Sequence, residues 1–178
     1  RAVEALRLKV FNQQIRGTKA FWNLPIIHAL GCAGMGIVLI YVIPLAVEQG
    51  LSTTEAAFTI TIISLVSIVS RLGAPVVAEA WGPRKVMAAS LSIQALTVFI
   101  LFWAHDPWMF YLFAAAFGLG FGAEWTGYLE INRRYFGDGP MGSVYGWQMT
   151  GAFAGHAVTT FLAGLVIYVT GSFYPVFV

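Results

Sequence analysis

The sequence has few charged residues and a single cysteine. Only 10% of its 178 residues are charged and 58% are hydrophobic, whereas about 25% of a typical soluble domain is charged. This composition argues against a water-soluble core. The lone cysteine, Cys32, lies in an apolar stretch, so the sequence offers no disulfide, cysteine zinc site or redox motif.

The sequence also lacks the short motifs that identify many nucleotide-binding proteins and hydrolases. No P-loop, Cys-x-x-Cys, His-Glu-x-x-His or Gly-x-Ser-x-Gly pattern occurs. Two glycine-rich stretches, residues 31–36 and 118–122, follow no predicted strand and therefore indicate helix packing. The net charge of +2 is too small to predict nucleic-acid binding. We predict no cofactor, no metal site and no nucleic-acid partner.

What the sequence has instead is a series of long apolar stretches, each able to cross roughly 30 Å of hydrocarbon as a helix. Five complete spans are predicted, and the start of a sixth lies near residue 173. The five cover residues 21–47, 54–80, 86–104, 108–132 and 144–169. The sequence therefore predicts an all-α membrane protein, with membrane lipids as its surroundings.

Residues 1–20 differ from the rest because they are polar and basic. Val3, Leu6 and Val10 share one helical face, which predicts a helix that lies on the lipid headgroups. The chain begins at Arg1 and ends in an apolar run. We therefore expect it to be part of a longer protein.

The basic residues are distributed unevenly along the chain. Nine of the ten fall in segments that the predicted spans would place on one side of the membrane, and the tenth, Arg71, lies inside the second span. The nine are Arg1, Arg7, Lys9, Arg16, Lys19, Arg84, Lys85, Arg133 and Arg134. The alternate connections contain none. This asymmetry predicts an integral protein of the plasma (inner) membrane whose basic loops face the cytoplasm.

A distinctive turn joins the second and third spans in residues 70–85. Glu79 is followed by the turn glycine Gly82 and by the basic pair Arg84 and Lys85, and an arginine lies eight positions before the acid. This arrangement resembles the cytoplasmic loop signature of the major facilitator superfamily. The resemblance implies a gating loop, whose charged residues form ion pairs in one transport state and release them in the other.

Two further stretches strengthen the resemblance. Residues 42–57 and 134–146 are similar to parts of the monocarboxylate and oxalate/formate branches, namely the seventh helix with its outer loop and the loop between helices ten and eleven. The resemblance implies that residues 21–178 are helices seven to eleven and the start of twelve. Residues 1–20 would belong to the central cytoplasmic loop, and the N-terminal half of the same transporter would be the partner. The implied function is secondary active transport of a small organic anion by alternating access.

Arg71 is the first candidate for substrate binding. It lies about 16 Å into the bilayer from Gly82, at 1.5 Å per helical residue. Its guanidinium offers a planar fork of donors that matches a carboxylate. The alternative is a structural arginine bonded to carbonyl groups at a helix end.

The other ionisable candidates are Glu124, His156 and His28. Glu124 could exchange a proton, form a salt bridge to Arg71, or accept a hydrogen bond from a facing helix. His156 could be a cation opposite a carboxylate or a packing residue. Three further candidates could line the cavity or serve in packing: Trp125, Gln148 and Tyr41.

Two functions of other classes remain open at this point. One is a membrane receptor or scaffold that does not transport. The other is a membrane-embedded enzyme that uses His28, Glu124 and His156, although these residues lie on three spans without a local metal-ligand spacing.

Overall fold

A computed structural model describes residues 2–137 and 139–177 of the chain, and these residues are almost entirely helical. The helices are α1 (Ala2–Arg16), α2 (Lys19–Glu48), α3 (Thr53–Trp81), α4 (Pro83–Val98), α5 (Pro107–Phe136) and α6 (Met141–Thr170). Two 3₁₀ segments, Phe99–Trp103 and Tyr174–Val176, follow α4 and α6.

Local sequence signals set the helix ends on either side of α3. Ser52 and Glu55 form a capping box at its start, which satisfies backbone N–H groups that have no partner within the helix. At its end, Gly82 adopts a φ of 92°, a conformation that glycine tolerates and other residues rarely adopt. Pro83 then occupies the first turn of α4.

The long helices form two groups. α3 and α4 both pack along α5, whereas α2 packs along α6. The two groups meet chiefly between α2 and α3 and touch more sparingly where α5 approaches α2 and α6. α5 is therefore the central helix of the first group.

Glycines fix how α5 is seated against its neighbours. A Cβ added to Gly118 would lie 2.9 Å from the Ile63 carbonyl oxygen of α3, and one at Gly122 would collide with the Ser67 carbonyl oxygen. On another side, a Cβ at Gly120 would lie 2.6 Å from the Ser90 carbonyl oxygen of α4. Small residues thus let the helices approach closely, as is common in membrane bundles.

The alternating helices bring the basic segments to one end of the bundle. Arg84, at the start of α4, contacts Tyr135 at the end of α5, and Phe21 of α2 stacks on Trp147 of α6. At the opposite end, the Phe173 backbone N–H donates to Glu48. Arg1, which the sequence analysis placed with the basic residues, lies outside the described residues.

Four helical stretches among the described residues are long and apolar enough to cross a membrane. They are Lys19–Glu48, Thr53–Trp81, Pro83–Trp103 and Met141–Thr170. α5 is equally long but is not one of them. It is the helix that carries Glu124. Its role as the fourth of the five predicted spans therefore stays a prediction.

The structure differs from the sequence prediction at two places near the predicted spans. The third span begins at Pro83, three residues earlier than expected, because proline is well accommodated in a first helical turn. Near the predicted start of the sixth span, the described residues contain only the 3₁₀ segment Tyr174–Val176. At the other end of the chain, α1 exposes Val3 and Leu6, and its position on the lipid headgroups stays a prediction.

Candidate functional site

Arg71 is exposed on α3 and lies against two aromatic rings of α5. Its guanidinium carbon is 5.6 Å from the ring centroid of Phe121 and 5.7 Å from that of Trp125. In the described part of the chain, its side chain forms no ion pair and donates no hydrogen bond. The alternative of an arginine bonded to helix-end carbonyls is therefore not observed.

A contact to the backbone of Arg71 also comes from α5, since Thr126 donates a long hydrogen bond of 3.5 Å to the Arg71 backbone carbonyl. Arg71 of α3 thus lies along α5 as one cationic position whose own donors are available. A guanidinium with free donors beside aromatic rings can bind an anion that also carries an apolar part.

Glu124 lies on a different face of α5 and is buried, with 2% of its surface exposed. Its Oε2 accepts a hydrogen bond of 2.7 Å from Gln94 Nε2 of α4. Of the alternatives considered above, the hydrogen bond to a facing helix is thus observed. The salt bridge to Arg71 is absent from residues 2–137 and 139–177.

The other oxygen of Glu124 points towards α2. A Cβ added to Gly31 would lie 2.7 Å from Glu124 Oε1, so glycine is what gives the carboxyl room there. This oxygen is buried and has no hydrogen-bond partner among the described residues. Within the described residues, one carboxyl oxygen of Glu124 therefore accepts a hydrogen bond and the other does not.

His28 of α2 lies next to this acid, in contact with two rings of α5. Its imidazole stacks on Tyr128 at a centroid distance of 3.8 Å and meets Trp125 edge-on at 5.9 Å. Tyr128 follows Glu124 by one helical turn on α5. Neither His28 Nδ1 nor the Tyr128 hydroxyl makes a hydrogen bond of ordinary geometry to a described residue. Three buried side chains, each with a polar atom that lacks a hydrogen-bond partner in the described residues, therefore meet where α2 approaches α5.

One helical turn beyond Tyr128, Asn132 continues the same stripe of α5. Asn132 Nδ2 donates to Gln148 Oε1 of α6 at 2.7 Å, and the remaining polar atom of each amide has no partner in the described residues. Glu124, Tyr128 and Asn132 recur every four residues, which places them on one helical face. Sequence reasoning missed Tyr128 and Asn132, although this spacing was a usable signal.

Two further predicted residues, His156 and Tyr41, belong to the pair formed by α2 and α6. The half-buried ring of His156 packs against Gly36 of α2, where an added Cβ would lie 3.0 Å from it. The Tyr41 hydroxyl donates to the Thr160 carbonyl oxygen at 3.0 Å. Their observed contacts are therefore packing contacts between these two helices.

The three main ionisable candidates occupy three different surroundings. Arg71 lies against Phe121 and Trp125, Glu124 against Gln94, and His156 against Gly36. No hydrogen bond or ion pair within the described ranges joins any two of the three. The structure does bring Glu124 together with His28.

Comparison with known proteins supplies the family. Residues 24–178 match the family model of the Major Facilitator Superfamily. The chain belongs to this superfamily. Its members are integral membrane transporters, and membership implies transport of some substrate. A search of curated proteins gave no significant match.

The predicted gating loop of this transporter forms the turn between α3 and α4. Arg84 binds Tyr135 through a hydrogen bond and by lying 5.0 Å from its ring centroid. Glu79 and Lys85 are exposed. In the part of the chain that the structure describes, Glu79 forms no ion pair with either basic residue.

A membrane-embedded enzyme of the kind considered in the sequence would need His28, Glu124 and His156 to lie together. The described residues contain no group of three or more His, Cys, Asp or Glu side chains that could hold a metal ion. His28 and Glu124 lie in one cluster, whereas His156 lies between α2 and α6. The geometry therefore does not assemble the three residues that the enzyme alternative requires.

Proposed function

We propose that this chain is the C-terminal half of a secondary active transporter that moves a small organic anion by alternating access. Residues 1–20 belong to the central cytoplasmic loop, and residues 21–178 form the transmembrane bundle, in which α5 is the fourth span. The clustering of basic residues at one end supports a plasma-membrane orientation with that end in the cytoplasm. The N-terminal half of the same transporter would complete the substrate cavity.

The observation that carries the anion proposal is the position of Arg71. A charged side chain near the bilayer centre costs at least about 2.5 kcal/mol on insertion scales, so it is retained mainly where protein or water surrounds it. Arg71 is exposed and has no acidic partner among the described residues. A carboxylate could accept two parallel hydrogen bonds from its fork, while Phe121 and Trp125 would contact the apolar part of the substrate.

Two stretches of the sequence support a particular branch of the superfamily. The similarity of residues 42–57 and 134–146 to monocarboxylate and oxalate/formate transporters supports a small carboxylate as substrate. A receptor or scaffold with this fold would bind a ligand without moving it. Uptake of labelled carboxylates into liposomes that contain the full-length protein separates these two functions.

The turn between α3 and α4 would act as a cytoplasmic latch. The contact between Arg84 and Tyr135 ties this turn to the end of α5, and the exposed Glu79 is free to pair with a basic group in another state. Glu79→Gln should therefore alter exchange turnover more than substrate affinity. Wild-type turnover in that variant would remove the latch from the proposal.

The experiment that tests the anion proposal measures binding of candidate carboxylates to the purified full-length protein. Arg71→Ala removes the charge, and Arg71→Lys keeps the charge but loses the planar fork. Loss of a charge-assisted contact should cost about 1.5–3 kcal/mol, roughly 10- to 150-fold in affinity. Arg134→Ala is the matched control, because Arg134 is exposed at a helix end, away from Phe121 and Trp125.

Folding of each variant is checked by size-exclusion chromatography and circular dichroism. The proposal predicts weak binding in both Arg71 variants and ordinary binding in Arg134→Ala. If both Arg71 variants fold and bind the wild-type substrate with unchanged affinity, Arg71 is not the anion site and the proposed substrate class is wrong.

A further inference from the structure

We propose that Glu124 is a proton-binding site separate from the anion site, and that the polar stripe of α5 connects it with the basic end of the bundle. The inference deepens the proposed function, because it names the ion coupled to transport. It rests on the meeting of α2, α4 and α5 around Glu124, and on side chains that the anion site does not use.

The first step is the hydrogen bonding of the Glu124 carboxyl. Gln94 satisfies Oε2, but Oε1 is buried without a partner among the described residues. A buried carboxylate that lacks a cation is costly, since its charge has lost the solvation of water. Addition of one proton to Oε1 gives the neutral acid, and Oε1 then becomes a hydrogen-bond donor. The proton comes from water, and it returns to water when the acid ionises.

The groups that face Glu124 leave this proton without a competing cation. Gln94 of α4 is neutral, and Arg71 of α3 lies on the rings of Phe121 and Trp125 instead. Among the described residues, the titratable groups nearest this contact are His28 and Cys32, which flank Gly31 of α2, and Tyr128, one turn after Glu124 on α5. Glu124 is the acid of this cluster.

The second step is the route from Glu124 to water. Tyr128 and Asn132 follow Glu124 at intervals of four residues, so each lies about 6 Å further along the helix axis. Each has a buried polar atom without a protein partner in the described residues, and so has Gln148 beside Asn132. Buried groups of this kind commonly bind ordered water. The stripe runs towards Arg133 and Arg134, in the last turn of α5.

Trp125 provides a physical link between the two sites. The centroid of the Trp125 ring lies 5.7 Å from the guanidinium carbon of Arg71 and 5.9 Å from the centroid of the His28 ring. His28 in turn stacks on Tyr128. An anion that draws Arg71 away from Trp125 would thus change the packing of the ring that borders the proton site. Occupancy of one site can in this way alter the free energy of the other.

The test is infrared difference spectroscopy of the purified full-length protein in lipid nanodiscs, titrated with acid in the absence of substrate. The wild type should show the carbonyl band of a buried carboxylic acid that appears as the pH falls. Glu124→Gln should lose this band. Glu130→Gln is the matched control, because Glu130 lies on the same helix but pairs with Arg133 at the helix end, and it should retain the band.

Two further variants keep the test decisive if Glu124→Gln does not fold. Gln94→Leu removes the donor to Oε2 and should shift the frequency of the same band, and Tyr128→Phe should shift its titration midpoint. The proposal is overturned if the wild type shows no such band, if the band survives in Glu124→Gln, or if neither of the other variants moves it.

The same measurement separates this proposal from the anion site. Arg71→Ala should keep the titrating band even where it abolishes carboxylate binding. If instead the band is normal and Arg71→Ala binds the anion normally, the proton site stands and the anion site fails. Loss of the band in a folded Arg71→Ala protein would contradict the separation of the two sites.

Discussion

Two neighbouring faces of α5 provide opposite surroundings for an ionisable side chain. On one face, Glu124 is buried and bonded to Gln94. On the other, Arg71 is exposed, contacts aromatic rings and has no acidic partner in the described residues. A structural salt bridge would have joined the two charges. Because the two charges are separate, each can bind a different partner. We propose that the acid binds a proton and that the arginine binds an anion.

The rotation of α5 about its axis is what keeps the two regions apart. Gly118 and Gly122 contact backbone atoms of α3, and Gly120 contacts backbone atoms of α4. Because backbone carbonyls cannot rotate away as a side chain can, these contacts leave α5 little freedom to turn. Glu124 therefore faces α4 and α2, while Phe121 and Trp125 face Arg71.

The largest expected effect comes from breaking this seating. In Gly122→Ala the new Cβ would collide with the Ser67 carbonyl oxygen, and overpacking of this kind costs about 1–3 kcal/mol. We expect a lower free energy of unfolding in mixed detergent micelles, together with weaker substrate binding. Gly34→Ala is the control, because a Cβ there meets nothing within 4 Å. Equal stability of the two variants would show that the glycine contacts do not fix α5.

The next effect is confined to the buried region. Gln94→Leu removes the only observed donor to Glu124 among the described residues, and an unpaired buried polar group costs about 1–3 kcal/mol. Replacing both residues, in Gln94→Leu with Glu124→Leu, should restore much of the loss, since no polar group is left unpaired. The measurement is again equilibrium unfolding. If the double variant is no more stable than Gln94→Leu, then the instability of Gln94→Leu does not come from losing the hydrogen bond to Glu124.

The smallest effect is expected in the exposed region. Arg71→Gln should change the free energy of unfolding by no more than about 1 kcal/mol, the upper value for a cation–π contact at an exposed site. The same variant should lose substrate affinity, so stability and binding respond separately. A destabilisation as large as that of Gln94→Leu would show that Arg71 is structural. The two regions would then not differ in how they contribute to stability.

Hydrophobic run lengths predicted the helices well, because long apolar stretches have few alternatives to a membrane helix. The partner of Glu124 was harder to predict. Gln94 lies on another helix, α4, and which side chains meet between two helices depends on helix rotation. That rotation is fixed by glycines against backbone atoms, a contact that leaves no polar signal in the sequence.

The most direct test of the account measures protons exchanged when the anion binds. Calorimetric titration of the full-length protein in two buffers of different ionisation enthalpy gives this number. We predict net proton exchange in the wild type and in Glu130→Gln, and anion binding without it in Glu124→Gln. Unchanged proton exchange in a folded, anion-binding Glu124→Gln protein would contradict the assignment of the proton to Glu124 and of the anion to Arg71.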